Sequence, residues 1–161
     1  MRILFVLLCC FCFSPLSAQN FWYTANEDLI STNMDDRSVV PNHYYTTGLD
    51  TEALRNYLRS APEEYSSEVQ GSPLYLDMPM PDGRLVTFSV YYSPVMMSGL
   101  AAKYPQIKSY AGHSVSDEGM RIRFSLSQVG FYAAFNSLEY GKVHIDPYAD
   151  NQTDYYMSYY T

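Results

Sequence analysis

Met120-Arg121-Ile122-Arg123-Phe124-Ser125-Leu126 decides the fold: apolar and polar side chains alternate along it with the two-residue period of a strand that buries one face. Met120, Ile122, Phe124 and Leu126 point one way, while Arg121, Arg123 and Ser125 point the other. Downstream, Gln128 to Gly130 make a tight connection into a strand over Phe131 to Phe135. Beyond Glu139-Tyr140-Gly141 the segment Lys142 to Asp146 repeats the alternation, with Val143 and Ile145 inward. A last strand follows, in which Tyr155, Met157 and Tyr159 alternate with Tyr156, Ser158 and Tyr160.

Upstream, Leu74, Leu76 and Met78 alternate with Tyr75 and Asp77, and Val86, Phe88, Val90 and Tyr92 form one face of the next strand. Pro81-Asp82-Gly83 between them has the residues of a hairpin tip. Tyr44-Tyr45-Thr46 starts a short strand, and another falls around Ile107 to Ala111. Asp50 or Thr51 caps a helix that runs to about Ser60, where Pro62 forbids continuation. Its Glu52 near the start and Arg55 and Arg59 near the end suit the helix dipole, an ordinary structural account of those charges. Ser98 caps a second helix, stopped by Pro105. The sum is an α+β fold, mainly an antiparallel sheet of about six to eight strands with two short helices, over residues 43–161. Residues 19–42 read as a loosely ordered leader.

The first 18 residues combine Arg2, an apolar run from Ile3 to Phe13, a break at Ser14-Pro15 and small residues before Gln19, the pattern of a cleaved export signal. Its apolar core of about 11 residues is short of the roughly 20 that span a bilayer. The expected mature protein is therefore secreted or periplasmic, with no membrane segment after cleavage. All three cysteines, Cys9, Cys10 and Cys12, leave with the signal, which removes thiol chemistry and thiolate zinc sites from the exported form. A formal net charge of −7, with 10 Lys+Arg against 17 Asp+Glu, argues against a nucleic-acid partner, because neutralising phosphates takes clustered cations.

Motifs of catalysis are missing from the sequence. A zinc peptidase helix needs two histidines four apart with a glutamate between them, whereas His43, His113 and His144 are widely separated. No Gly-x-Ser-x-Gly elbow and no phosphate-binding glycine loop occur, so no catalytic residue, metal ligand or cofactor is assigned. His113 with Asp117 and Glu118 reads as a solvated acidic loop. His144 and Asp146 share a strand face at spacing two. The 17 tyrosines include the pairs Tyr44-Tyr45, Tyr91-Tyr92, Tyr155-Tyr156 and Tyr159-Tyr160, each of which puts one phenol toward the core and one outward. Sheet packing explains most of them, and the outward ones suit a docking or carbohydrate surface.

Several blocks in order carry a family resemblance. They are Leu76-Asp-Met-Pro-Met-Pro-Asp-Gly-Arg84, Phe88-Ser-Val, Ser93-Pro-Val-Met96 and Leu100-Ala-Ala-Lys-Tyr-Pro-Gln-Ile-Lys-Ser-Tyr110. Ile122-Arg-Phe-Ser-Leu, Gly130-Phe131, Val143-His-Ile-Asp-Pro-Tyr148 and Ser158-Tyr-Tyr160 follow them. Together they resemble the amino-terminal propeptide region of secreted reprolysin-like (adamalysin-type) zinc metalloproteases of the Bacteroidetes type, over roughly Tyr45 to Tyr160. The resemblance implies a non-catalytic domain that binds a protease catalytic domain, in cis or in trans, as inhibitor or folding aid. It departs from the family in that this sequence lacks the peptidase's zinc-binding helix, and no exported cysteine is present to occupy a zinc. His144, Asp146 and Tyr148 are the interface candidates. The competing reading is a secreted adhesion or glycan-binding β-module that uses exposed tyrosines.

Overall fold

A computed structural model describes residues 18–31, 36–117, 119–137 and 141–161. The export-signal reading of residues 1–18, apart from Ala18, lies outside the described residues, as do the three cysteines, Asp35, Glu118 and the Glu139-Tyr140 pair. Among the described residues nine strands form one sheet: β1 (Trp22–Thr24), β2 (Tyr44–Leu49), β3 (Leu74–Pro79), β4 (Leu85–Tyr92), β5 (Lys108–Ser114), β6 (Arg121–Leu126), β7 (Phe131–Ser137), β8 (Gly141–Pro147) and β9 (Tyr155–Tyr160). Their spatial order is β1-β2-β9-β8-β7-β6-β5-β4-β3, with every ladder between neighbouring strands antiparallel. Helical segments are short: α1 (Thr51–Tyr57) continued by a 3-10 turn over Leu58–Ser60, α2 (Glu68–Gly71) and α3 (Ser98–Lys103). None of the described helices is long and apolar enough to cross a membrane.

This corrects the expected α+β layer of six to eight strands with two helices. The sheet has nine strands and curls on itself until it is nearly closed, so side chains from its own inner face fill the space that a helical layer would otherwise cover. Closure depends on the segment before β2. The Gln19 N–H donates to the Tyr75 carbonyl and the Asp77 N–H donates to the Gln19 carbonyl, both at 3.2 Å. The Trp22 indole N–H adds a bond to the Asp77 carbonyl at 2.8 Å, and the Tyr57 hydroxyl one to the Tyr75 carbonyl at 2.8 Å. The free backbone of β3 is thereby satisfied, which removes a sticky sheet edge.

Inside, the alternation of the opening stretch holds: Ile122, Phe124 and Leu126 are buried, and Arg121 and Arg123 are exposed. Phe88, Phe131 and Phe135 are each at most 2% exposed, and burying each contributes roughly 1.5–3 kcal/mol. Small residues make room for them. Gly112 faces Val90 and Ile122 across two ladders, and Ser158 donates its hydroxyl across the interior to the Pro79 carbonyl at 2.8 Å. The tip after β3 is the expected hairpin, with Gly83 at φ +82° and its N–H bonded to the Met80 carbonyl at 2.9 Å.

Asp50 caps α1 through its carboxylate and the Ala53 N–H at 2.9 Å. Ser98, expected as a cap, is instead the first residue of α3, and Met97 at the cap position makes no side-chain bond.

Candidate functional site

The outer face of β4 to β8 holds the candidate site. Ala111 and Ala134 stand on either side of Arg123 in the ladders, and because neither carries anything beyond Cβ they leave a trough in the middle of the sheet. One half, about 320 Å³, lies between Tyr91, Arg121, Arg123, Asn136 and Lys142. The other half, about 310 Å³, shares Arg123 and Ala134 with it and continues to Tyr132, His144 and Asp146. Strand parity puts all of these side chains outward, opposite the buried phenylalanines.

Three cations line the trough. The Arg121 and Lys142 side chains make no hydrogen bond or ion pair with a described residue, and Arg123 donates from Nη1 to the Ser93 hydroxyl at 3.4 Å. The Ser93 hydroxyl in turn donates to the Glu64 carboxylate at 2.6 Å, so Arg123 is steered from below while its exposed side faces solvent. In a chain of net charge −7 this is a local reversal of sign.

The three sequence-derived interface residues share the outward parity of β8 and its continuation but have different surroundings. His144 stacks on the Tyr159 ring, with centroids 5.6 Å apart at 19°. Burial and then the Lys142 charge hold its imidazole below the ordinary 6.5, with Asp146 opposing. Asp146 accepts the Tyr159 hydroxyl at 2.5 Å, and burial above all, with that bond adding, pushes the phenol well up. His144 and Asp146 therefore both line the trough. Tyr148 does not: it is 6% exposed, beneath the Glu27 and Arg37 side chains.

That cover of Glu27 and Arg37 is a feature the sequence did not reveal. Glu27 accepts the hydroxyls of Tyr148 and Tyr44, each at 2.5 Å, and Arg37 sits with its guanidinium carbon 4.2 Å from the Tyr148 ring centre and 5.1 Å from that of Tyr44. The pair Tyr44-Tyr45 thus has its outward phenol tied down, as does Tyr159-Tyr160 through Asp146. The only available signal was composition: an acid and a lone arginine, Arg37, in the leader opposite a tyrosine-rich strand.

What the trough offers chemically is recognition by guanidinium, ammonium and amide donors beside aromatic rings. No group of three or more His, Cys, Asp or Glu among the described residues is placed to hold a metal ion. His113, from the acidic-loop reading, lies in β5, opposite Arg121 in the ladder. Comparison with protein-family models, with curated proteins and with solved structures finds no match for this chain.

Proposed function

We propose that this chain is an exported, non-catalytic propeptide-like domain that binds the catalytic domain of a reprolysin-type zinc metalloprotease, as inhibitor or folding aid. The outer trough of β4 to β8 is the docking surface. The observation that carries the reading is the cationic line of Arg121, Arg123 and Lys142 on the face of an acidic domain, with two of the three side chains unengaged. Such a surface steers an acidic partner and fixes its register. The propeptide-like sequence blocks supply the class of partner, and the trough's charge supplies the chemistry of its contact, an acidic stretch of the protease surface.

The purified chain is titrated into a reprolysin-type catalytic domain while binding heat and peptide cleavage are followed. Reversing the three charges together (R121E, R123E and K142E) weakens the complex by at least about tenfold, or roughly 1.4 kcal/mol, and leaves the circular dichroism unchanged. No heat and no change in cleavage across the micromolar range, or full affinity in the reversed variant, refutes the proposal.

A further inference from the structure

One mouth of the barrel carries a second concave site. Leu54 and Leu58 from α1 and the 3-10 turn after it point into the core, which leaves Arg55 and Arg59, one helical turn apart, at the rim. Opposite them the ladder places Tyr92 and Tyr110 side by side, with ring centres 5.7 Å apart at 66°. Lys108, two residues before Tyr110, holds its ammonium 5.2 Å from the Tyr92 ring centre. The cavity between these groups is about 490 Å³, within the roughly 300–1,000 Å³ of small-molecule sites.

Tyr110 supplies a hydrogen-bond donor on the wall of this cavity. Its ring is buried against Phe124 and Tyr92, while its hydroxyl is accessible from the cavity and makes no hydrogen bond with a described residue. Burial above all, with Tyr92 adding and Arg55 opposing, pushes it up to about 12, so it is a proton donor throughout the neutral range. Arg55 keeps one nitrogen on the Ser127 carbonyl at 3.1 Å, which fixes the guanidinium at the rim, and Arg59 makes no ion pair with a described residue. Glu63, also on the lip, subtracts one charge and leaves a surplus suited to a single anionic group.

We infer that the barrel mouth binds an apolar monocarboxylate with an aromatic body, the ring packing on Tyr92 and Tyr110 and the carboxylate meeting Arg59, Arg55 and the Tyr110 hydroxyl. The carboxylate arrives either on a free small acid or on the carboxyl end of a peptide that finishes in an aromatic residue. Neither the trough nor its protein partner takes part.

The test measures binding of 2-naphthoate to the full chain by calorimetry, with neutral 2-naphthalenemethanol as control. Wild type binds the acid and not the alcohol. Arg59→Gln weakens binding about tenfold. Tyr110→Phe weakens it about fivefold without lowering the melting temperature, because the lost hydroxyl has no partner in the protein, whereas a purely structural role would lower stability and spare binding. R121E/R123E/K142E leaves naphthoate affinity unchanged, which separates this site from the outer trough. Peptides ending in phenylalanine then distinguish the sources: displacement of naphthoate by the free-carboxylate form but not by the amide assigns a chain end, and displacement by neither assigns a small acid. Absence of naphthoate binding, equal binding of the alcohol, or undiminished binding in both single variants overturns the inference.

Discussion

Replacing Tyr148 by phenylalanine separates one hydroxyl from everything else that residue does. The ring keeps its edge contact with Tyr44, centroids 6.5 Å apart, and its place 4.2 Å from the Arg37 guanidinium carbon. What disappears is the hydroxyl that donates to Glu27 at 2.5 Å and accepts from Arg37 at 3.4 Å. A hydrogen bond to a charged group is worth about 1.5–3 kcal/mol. Glu27 is exposed and keeps the Tyr44 hydroxyl at 2.5 Å, so the low end of that range applies. The expected loss is about 1.5 kcal/mol, or about 5 °C in melting temperature for a domain of this size. It would be read by thermal and urea denaturation, with hydrogen exchange as the spatial control: amides of residues 22–31 lose protection while those of β6 do not. The Tyr148→Phe and Glu27→Gln pair in a double-mutant cycle should couple by about 1 kcal/mol. Wild-type stability in Tyr148→Phe, or a cycle that closes to zero, would show that the segment over β2 and β9 is not held by this bond.

The same cluster makes stability depend on pH. Burial works to raise the Glu27 carboxyl, but hydrogen bonds from Tyr148 and Tyr44 and the Arg37 charge outweigh it and hold the group below 4.5. Its contribution is then complete above about pH 4.5 and fades as pH falls through the folded value, a decline that Glu27→Gln abolishes and acid titration of urea midpoints would detect. His144, held below 6.5 when folded, adds stability above that pH and loses it as the solution is acidified toward the folded value; an NMR titration midpoint above 6.5 would contradict the geometry. Trp22→Phe keeps the ring against Phe131 but orphans the Asp77 carbonyl, at a cost of about 1–2 kcal/mol in urea unfolding, with faster exchange along β3; unchanged exchange there would mean that closure does not need the indole. Gly112→Ala places a methyl carbon 2.5 Å from the Ser89 carbonyl oxygen and forces β4 and β5 apart, a loss of about 2 kcal/mol in the same assay; wild-type stability would disprove that close approach.

Among the described residues, β3, β4, β6, β8 and β9 announce themselves by alternation, because each has one face on a dry interior and the other outward, whereas β2, β5 and β7 are marked only by short runs between turn residues. β1 does not announce itself, since three residues are too few to show a period; it is placed by its ladder with β2 and by an indole bond to a residue 55 positions away. Closure is illegible for the same reason. Nothing local to Gln19 or Asp77 says that they meet, and without that meeting the natural inference is an open layer needing helices to cover it. The spacing of His144 and Asp146 reads correctly as one face, whereas Tyr148 shows the limit of parity: it fixes direction and not what lies on top. Arg55 and Arg59 teach a different lesson. The helix dipole accounts for their presence on α1, and that sufficient local reason conceals the two tyrosine rings delivered opposite them by β4 and β5.

Strand parity also bears on whether the two proposed sites communicate. Along β5 and β6 the ladder pairs Tyr110 with Phe124 inward and Ala111 with Arg123 outward, so the mouth and the trough are built from adjacent residues on opposite sides of one wall. The inward pair is stacked, with centroids 5.0 Å apart at 15°, and the strands are held by their backbone bonds. Tyr110 also borders the half of the trough that holds Arg123, and for its ring on the inner face to affect Arg123 through the wall, β5 would have to shift against β6, which would break that ladder along its length. Side chains on opposite faces with no shared partner behave additively. Combining Tyr110→Phe with Arg123→Glu should therefore change the affinity for each ligand by no more than the relevant single substitution does. A cross-effect larger than about threefold would mean that the wall itself has two arrangements, and that occupancy of the mouth sets the affinity of the face.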